Sequence, residues 1–324
     1  MKTNGQLESF DIFSDVLNDN HDLFLNAAIR AAFELGVFRL LTSEEPCRQY
    51  TASEVAAQLD LPERLLTRLL DVLTVDGILS KSEHAGYASL RMERPVETSD
   101  ENAGGWDRIA EVVSSDTALP VNPDWLAGHL SYVALKGKRA APLLWETLRP
   151  TPGGRLLDIG GGLGAYSLAY LNRDPQNHAT IVDLPEVVAL LVEVEAENHT
   201  MLDAIVGDAR DLTLSDDYDV VLLANLLHLF GSNECCEIVR RATAATAPGG
   251  TVVIHDFYVS PDRTGPLVAL YFALNMAIYT DAGDVYPISL MVEWMEAAGL
   301  SNVHQLPIPE LTSSAVLVGS RPRI

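Results

Sequence analysis

The stretch LLDIGGGLGAYSLAYL, residues 156–171, constrains the fold more than any other part of this chain. An apolar run ends in glycines and a helical pattern follows, which predicts a strand that turns through a glycine loop into a helix. Gly160, Gly162 and Ala165 also satisfy the G-x-G-x-x-A spacing of a dinucleotide-binding loop. The backbone of such a loop approaches a ligand closely, so the residues around it must indicate which ligand.

Short apolar strands alternate with helical stretches from residue 154 onward. The predicted strands are RLLDIG, ATIVDL, MLDAIVGD, DVVLLANLL and GTVVIHDF, with SAVLVGSR as the last. This alternation predicts an α/β fold with a mostly parallel sheet and helices on both of its faces. Ligands of such sheets bind at the carboxyl ends of the strands.

Three aspartates lie at the ends of predicted strands at that edge: Asp158, Asp183 and Asp208. A carboxylate beside the glycines would repel a pyrophosphate, because both are anions. An amino group, a ribose diol and an adenine amine are donors that a carboxylate accepts. The acidic residues therefore favour a nucleoside ligand without a phosphate.

The first hundred residues predict short helices followed by a hairpin, the order typical of a winged helix. Thr51 and Glu54 have the spacing of a capping box. Leucines between Leu65 and Leu73 recur at the spacing of a buried helix stripe. Residues 1–100 contain nine Lys and Arg against seventeen Asp and Glu, a net charge of 9 − 17 = −8. This charge argues against nucleic-acid binding and favours packing or dimerisation.

Composition excludes several other classes. The whole chain has a net charge of −23, which opposes binding to nucleic acid or an anionic membrane. No apolar run approaches the ~18–20 residues that span a bilayer, and the N-terminal sequence lacks an apolar signal-peptide core. Cys47, Cys235 and Cys236 form no C-x-x-C pair, so neither a disulfide framework nor a zinc site is indicated. We expect a cytoplasmic protein.

Several motifs together resemble the S-adenosylmethionine-dependent O-methyltransferases, which include plant phenolic and bacterial polyketide and phenazine enzymes. The motifs are LLDIGGGLGAYSLAYL, IVDLPEVV, VGDARDL, YDVVLLANLLHLF, APGGTVVIHDF and MVEWMEAAGL. The resemblance covers nearly the whole chain. It implies a Rossmann-like class I methyltransferase domain with a mainly helical winged-helix domain for homodimer formation. The expected domains are residues 1–95 for dimerisation, 96–150 as a helical region lining the acceptor pocket, and 151–324 for cofactor binding and catalysis.

The resemblance also implies which residues line the S-adenosylmethionine site. Asp183 would hold the ribose hydroxyls, and Asp208 would lie near the adenine amino group. The full set is Asp158, Gly160 and Gly162 at the methionine portion, Asp183 and Leu184 at the ribose and adenine, and Asp208 with Ala209 at the adenine.

His228, just past the fourth predicted strand, falls on the family's catalytic histidine. A phenol with a pKa of ~10 needs a base near neutral pH, and histidine is the usual one. Asp256 could orient His228, and Asp284 is the alternative at the position that the resemblance suggests. His255 and Asp256 are neighbours on a strand, so the two side chains must point to opposite faces.

The acceptor is expected to be a small molecule with a phenolic or enolic hydroxyl. The walls of the acceptor pocket would include Asn275 and Tyr279 of an apolar helix, together with Trp125. No metal is expected. The His-Asp-His ligands of related metal-dependent C-methyltransferases would fall at His228, Leu229 and Asn275, so two of the three ligands are missing. Two alternatives stay open: a C- or N-methyltransferase of the same fold, and a non-catalytic or regulatory cofactor-binding protein.

Overall fold

The structure is a computed structural model that describes residues 13–42, 49–82, 86–89, 104–120, 123–195, 202–215 and 217–323. In chain order its helices are α1 (Ser14–Glu34), α2 (Val37–Leu41), α3 (Ala52–Leu59), α4 (Glu63–Val75), α5 (Ile109–Ser115), α6 (Pro123–Leu148), α7 (Ala165–Leu171), α8 (Pro185–Glu195), α9 (Ser232–Ala245), α10 (Leu267–Tyr279) and α11 (Ile288–Ala297). Its strands are β1 (Leu79–Lys81), β2 (Tyr87–Ser89), β3 (Arg155–Ile159), β4 (His178–Asp183), β5 (Leu202–Val206), β6 (Tyr218–Ala224), β7 (Thr246–Val259), β8 (Tyr286–Pro287), β9 (Ser301–Leu306) and β10 (Ser314–Ser320).

The chain forms two compact units, and neither is continuous in sequence. The sheet unit comprises Met1–Asp15, Asn122–Tyr258 and Tyr286–Ile324, and the helical unit comprises Val16–Val121 and Val259–Val285. The expected division into 1–95, 96–150 and 151–324 follows chain order and therefore differs from these units. The segment Val259–Val285, which contains α10, belongs to the helical unit because α10 packs against α4.

An eight-stranded sheet is the centre of the sheet unit in the described residues. Its order is β5-β4-β3-β6-β7-β10-β9, with β8 paired to β7. The five strands from β5 to β7 are parallel to their neighbours, whereas β10 is antiparallel to both β7 and β9. The carboxyl ends of the parallel strands consequently meet at one edge. The predicted α/β fold with a mostly parallel sheet is confirmed.

Apolar residues on both faces of the sheet explain why its central strands are continuous hydrophobic runs. One face packs on α9 and α11 through residues such as Val221, Ile238 and Met295, and the other packs on α6 and α7 through Trp145 and Tyr170. β9 is exposed over much of its length. Its sequence SNVHQL has no apolar periodicity, and no strand was predicted there.

The helical unit has the predicted helices and hairpin. Thr51 and Glu54 form a complete capping box at the start of α3. The leucine stripe of α4 is fully buried, and β1 pairs with β2 in an antiparallel hairpin. Arg64 and Arg68, the two basic residues of α4, hydrogen-bond inside the unit, to Asp281 O and Asp284 respectively.

Asp71 is the centre of a buried ionic network in the helical unit. Its Oδ1 accepts from Lys81 Nζ at 3.0 Å and from the Tyr87 hydroxyl at 2.9 Å, and its Oδ2 accepts from Arg263 Nε at 2.7 Å. Burial first, and Asp71 next, raise the pKa of Tyr87 far above its ordinary value. Tyr87 is therefore a donor to Asp71, and the network joins α4, the hairpin and the segment that follows β7.

In the part of the chain that the structure describes, no helix is both long and apolar enough to cross a membrane.

Candidate active site

The candidate site lies in the sheet unit, at the edge where β3, β4, β5, β6 and β7 end. The glycine loop follows β3, Asp183 ends β4, Asp208 follows β5, and His228 lies in a 3-10 turn after β6. Asp256 belongs to β7. The parallel strand order therefore brings one predicted functional residue or loop to this edge from each of five strands.

The glycine loop has a left-handed backbone at three positions. Gly160, Gly162 and Gly164 have φ values of 71°, 56° and 75°, which L side chains rarely adopt. A Cβ on Gly160 would lie 2.5 Å from Leu226 Cδ1, whereas a Cβ on Gly162 would have only Leu130 Cδ2 near it, at 3.9 Å. Gly160 is thus packed against protein, and Gly162 presents the open side of the loop.

Asp158 lies beneath this loop. Its side chain is 1% exposed, and a Cβ on Gly161 would lie 2.9 Å from Asp158 Cγ. The Ser167 hydroxyl donates to Oδ2 at 2.7 Å, and Oδ1 has no hydrogen-bond partner among the described residues. Burial raises the pKa of Asp158 to about 7. The close approach explains why Gly161 is a glycine.

Asp183 anchors the other side of the loop. Its Oδ2 accepts from Gly162 N at 2.8 Å, and its Oδ1 accepts from Leu184 N at 2.8 Å. Burial raises the pKa of Asp183, although the two N–H donors oppose this effect. Leu184 is 41% exposed, so an apolar surface lies directly beside the carboxylate.

Asp208 forms a bidentate pair with Arg210. Arg210 Nη2 donates to Oδ2 at 2.6 Å and Arg210 Nε donates to Oδ1 at 3.0 Å. Hydrogen bonding to Arg210 lowers the pKa of Asp208. Arg210 also lies over the Phe230 ring, 5.7 Å from its centroid. Ala209 packs against the core of the sheet unit, and the sequence analysis did not single out Arg210.

His228 and Asp256 form a buried pair. His228 Nδ1 is 2.6 Å from Asp256 Oδ1. The other oxygen, Oδ2, accepts from Leu227 N at 2.9 Å, and Phe257 N donates to Oδ1 at 2.8 Å. Burial raises the pKa of Asp256. The charge and hydrogen bonds of His228, together with the backbone donors, outweigh burial, so the pKa lies below its ordinary value. An ionised Asp256 makes Nδ1 the nitrogen that carries the proton and Nε2 the nitrogen with the lone pair.

The turn that carries His228 is anchored from two further elements. The Cys235 thiol of α9 donates to Leu227 O at 3.1 Å, and the Tyr286 hydroxyl donates to Phe230 O at 2.6 Å. Burial is the main cause that raises the pKa of Cys235, which keeps the thiol protonated as a donor. The imidazole is consequently held by its backbone as well as by Asp256.

His255 faces away from Asp256, as alternation along β7 predicts. Its Nδ1 is 2.8 Å from the Tyr166 hydroxyl and its Nε2 is 3.1 Å from Ser314 Oγ. Both ring nitrogens are therefore used in a hydrogen-bonded network among α7, β7 and β10. Among the described residues, no group of three or more His, Cys, Asp and Glu is arranged to hold a metal ion.

Asp284, the alternative partner for His228, is paired within the helical unit. Arg68 Nε donates to its Oδ1 at 2.9 Å, and Arg263 Nη2 lies 3.3 Å from the same oxygen. The hydrogen-bonded carboxylate of His228 is instead Asp256. The sequence alone could not decide whether Asp256 or Asp284 pairs with His228, because the two arginines that bind Asp284 are remote from each other in the chain.

The expected acceptor residues have different surroundings. Asn275 Oδ1 accepts from Trp106 Nε1 at 3.2 Å, and the Tyr279 hydroxyl accepts from Gly105 N at 2.8 Å, both within the helical unit. The side chain of Trp125 lies outside the described residues. The role of these three residues in acceptor binding stays a prediction.

His129 of α6 is a residue that the sequence analysis missed. Burial, with a smaller contribution from the charge of His228, lowers its pKa to about 4. The two imidazoles are therefore within electrostatic range, and His129 is neutral at ordinary pH. Its neighbour Leu130 is the residue nearest the open side of Gly162. A single histidine in a helix has no sequence signal that marks it as part of a site.

Comparisons with known proteins agree with this geometry. The model of an O-methyltransferase domain matches residues 146–299, and the model of an O-methyltransferase dimerisation domain matches residues 21–92. The chain is 25% identical to 3-hydroxy-5-methyl-1-naphthoate 3-O-methyltransferase of Streptomyces sahachiroi, over 92% of each protein. It is 23% identical to L-tyrosine C(3)-methyltransferase of Streptomyces lavendulae, over 90% of this chain and 88% of the relative.

Among solved structures, an O-methyltransferase family 2 protein from Planctomyces limnophilus DSM 3776, in complex with apigenin, has the same fold. Its TM-score is 0.73 at 24% identity, with 94% of this chain and 95% of that chain covered. Fold and site together define a class I S-adenosylmethionine-dependent methyltransferase. Within that class, the chain belongs to the O-methyltransferase family whose members combine this catalytic domain with a dimerisation domain.

The residues at the sheet edge fit S-adenosylmethionine. Asp158 Oδ1 is a buried oxygen without a partner in the described residues, which suits an ammonium group nearby. Asp183 keeps accepting capacity for ribose hydroxyls, because each oxygen accepts one backbone bond. Exposed Leu184 and Val206 offer apolar surface for the adenine ring. When bound, this cofactor supplies a methyl group on a sulfonium.

Proposed function

We propose that this enzyme transfers the methyl group to a phenolic or enolic hydroxyl of a small specialised metabolite, with His228 as the base. The observation that carries the proposal is the pair of His228 and ionised Asp256, with Nδ1 and Oδ1 2.6 Å apart. This pair lies at the same sheet edge as the glycine loop and Asp183. A base at this edge can act on an acceptor beside the cofactor.

His228 would take the hydroxyl proton on Nε2, because Nδ1 already holds a proton toward Asp256. The negative charge of Asp256 stabilises the imidazolium that results and fixes the ring orientation. Positioning and general-base catalysis are the main contributions that the protein must make, because the electrophile belongs to the cofactor. One base of this kind typically contributes ~10²–10⁴ in rate.

We also propose that the cofactor lies across the loop from Asp158 to Asp208. Gly162 would allow close approach on the open side of the loop, and Asp158 would lie near the methionine ammonium group. Asp183 would accept from the ribose hydroxyls, with Leu184 against the adenine. Asp208, held by Arg210, would lie with Ala209 at the adenine amino group. Gly160 would act chiefly by letting the loop pack against Leu226.

Within the sheet unit, the acceptor side would include His129 and the predicted Trp125, both of α6. His129 is neutral at ordinary pH because burial lowers its pKa to about 4. A neutral imidazole can donate one hydrogen bond and accept another, which suits a hydroxyl or carbonyl next to the reacting oxygen. A hydroxylated aromatic acid is a reasonable first probe, since the Streptomyces sahachiroi relative is named for a hydroxynaphthoate.

The test is product identification with a deuterated methyl group. The enzyme is incubated with methyl-deuterated S-adenosylmethionine and a panel of hydroxynaphthoates and other phenols, and products are read by mass spectrometry and NMR. We expect a labelled methyl group on oxygen. His304→Gln, which changes an exposed histidine of β9, is the matched control and should form the same product as the wild type. Label on carbon or nitrogen only would overturn O-methylation.

Methylation of carbon is the second candidate, favoured by the relative named as an L-tyrosine C(3)-methyltransferase. The same NMR experiment separates the two, because O-methyl and C-methyl groups have distinct chemical shifts. A cofactor-binding protein with no transfer to any acceptor would give no labelled product at all.

We further propose that the protein acts as a homodimer in the cytoplasm. The dimerisation-domain match at residues 21–92 supports the dimer, and Phe33 of α1 is an apolar side chain that is 50% exposed. The free thiols of Cys235 and Cys236 suit a reducing compartment. Light scattering should give a dimer at micromolar concentration, and Phe33→Glu should weaken it. A wild-type monomer would contradict the proposal.

A further inference from the structure

We propose that Asp158 holds a proton while the cofactor site is empty and releases it to the solvent when the cofactor's α-ammonium group binds. Cofactor binding is then linked to pH through this one carboxyl group. The inference rests on the proposed position of the methionine end of the cofactor beside Asp158. The ammonium group keeps its own proton, so the proton that appears in solution comes from the carboxylic acid.

The first support is the surroundings of Asp158. Asp158 is 1% exposed, and in the part of the chain that the structure describes no Lys, Arg or His acts on it. The donors to its carboxyl group are the hydroxyl and the backbone N–H of Ser167 in α7, and Oδ1 has none. An ionised carboxylate costs much free energy in such surroundings, whereas a carboxylic acid does not.

The second support is the neighbouring carboxyl group. Asp183, at the end of β4, is the charged group whose field acts on Asp158, and its charge disfavours a second anion. The other elements beside Asp158 present no charge: its partners in the sheet are Ile181 of β4 and Leu222 of β6, and the loop presents Gly161. Burial is the main cause that raises the pKa of Asp158 to about 7, and the charge of Asp183 is a smaller cause in the same direction. The ammonium group of the cofactor would supply a cation beside Asp158 and would therefore favour its ionised form.

The direction of the linkage follows from these states. Below the pKa of Asp158 in the free protein, cofactor binding must release a proton. The affinity for the cofactor therefore rises by up to about tenfold for each unit by which the pH increases. Above that pKa the carboxylate is already formed, and affinity becomes independent of this group. The change of slope is expected at about pH 7.

The experiment is isothermal titration calorimetry with S-adenosylhomocysteine, which has the α-ammonium group and cannot react. Titrations in two buffers of different ionisation enthalpy count the protons released. We expect about one proton per site near pH 6 and close to none near pH 8.5. Difference infrared spectroscopy should show a protonated carboxyl band that disappears when S-adenosylhomocysteine binds.

Three variants distinguish Asp158 from other groups. Asp158→Asn should bind without proton release and lose the infrared change. Ser167→Ala should shift the change of slope to higher pH, because the hydroxyl lowers the pKa of Asp158. His228→Gln should still release the proton, since the imidazole is on the acceptor side.

Two results would overturn the inference. Binding of S-adenosylhomocysteine by the wild type without proton release near pH 6 would contradict it and leave the proposed function intact. Release that persists in Asp158→Asn and is lost in His228→Gln would assign the proton to the histidine. Absence of any S-adenosylhomocysteine binding would instead overturn the proposed cofactor site together with this inference.

Discussion

Asp71 of the helical unit and Asp158 of the sheet unit are both 1% exposed, yet their surroundings are opposite. Asp71 accepts from Lys81, Arg263 and Tyr87, whereas Asp158 accepts from Ser167 and leaves Oδ1 without a partner in the described residues. The first carboxylate is satisfied by its own chain. The second lacks a cation of its own chain among the described residues, and this difference is the one expected between a structural acid and the ligand-binding acid that we propose.

Asp256 is intermediate between these two carboxylates. Its partner is His228, a base that can exchange its proton, together with backbone donors. A fixed cation would lock the pair in one charge state, whereas an imidazole allows two. The three buried acids therefore differ in their partners: Asp71 pairs with permanent cations, Asp256 pairs with a histidine, and Asp158 has no cationic partner among the described residues.

The largest effect on stability is expected from Asp71→Ala. The change removes the buried carboxylate that Lys81 and Arg263 share, and breaking a buried ion pair in this way typically costs about 3–5 kcal/mol. Urea denaturation measures the free energy of unfolding. Glu111→Gln is the control, because its exposed pair with Arg108 should contribute little. A urea midpoint of Asp71→Ala equal to that of the wild type would contradict the stabilising role of Asp71.

A smaller, pH-dependent effect is expected from Asp158→Asn in the absence of cofactor. The pKa of Asp158 is raised to about 7 in the folded protein, against an ordinary value of ~3.9 in the unfolded chain. Its contribution to stability is therefore complete below about pH 4 and is lost as pH rises to about 7. Asparagine cannot ionise. As the pH rises across that window, the free energy of unfolding of the variant should therefore increase relative to that of the wild type by on the order of 2–4 kcal/mol.

Denaturation curves at several pH values test this prediction. Glu293→Gln, an exposed substitution on α11, should follow the wild type across this pH window. A constant difference in unfolding free energy between Asp158→Asn and the wild type from acid to neutral pH would mean that folding does not raise the pKa of Asp158.

Asp183→Ala should weaken S-adenosylmethionine and S-adenosylhomocysteine alike. Loss of a carboxylate that accepts from a ribose diol costs on the order of 1.5–3 kcal/mol, or roughly tenfold and upward in affinity. Calorimetry measures both ligands, with Asp183→Asn as the closer variant in size. Unchanged affinity for both would exclude Asp183 from the ribose site.

The smallest effect is expected from Arg210→Ala. The pair of Arg210 and Asp208 is well aligned, but the arginine side chain is 52% exposed, so solvent weakens the attraction. Its removal should change the free energy of unfolding by about 0–1 kcal/mol. A loss as large as that of Asp71→Ala would show that exposure does not separate the two ionic pairs.

Much of the sheet unit could be predicted from local sequence. The alternation of apolar strands and helices, the glycine loop, and Asp183 and Asp208 at strand ends are short-range signals. They locate the sheet edge because parallel strands bring their carboxyl ends together. β9 was missed, because its polar sequence resembles a loop.

The remainder depends on contacts between distant parts of the chain. Asp284 is explained by Arg68, which precedes it by 216 residues, and no local pattern indicates that pair. His129 is a candidate site residue only because α6 brings it within electrostatic range of His228. The same holds for Val259–Val285, which follows β7 in sequence and packs with the helical unit.

The rate of methyl transfer by His228→Gln, measured together with its affinity for S-adenosylhomocysteine, tests the central claim most directly. Glutamine retains hydrogen bonding without a basic nitrogen, so kcat should fall by ~10²–10⁴, while affinity should change little. A variant that retains more than about a third of the wild-type kcat, where general-base loss predicts far less, would contradict the role of His228.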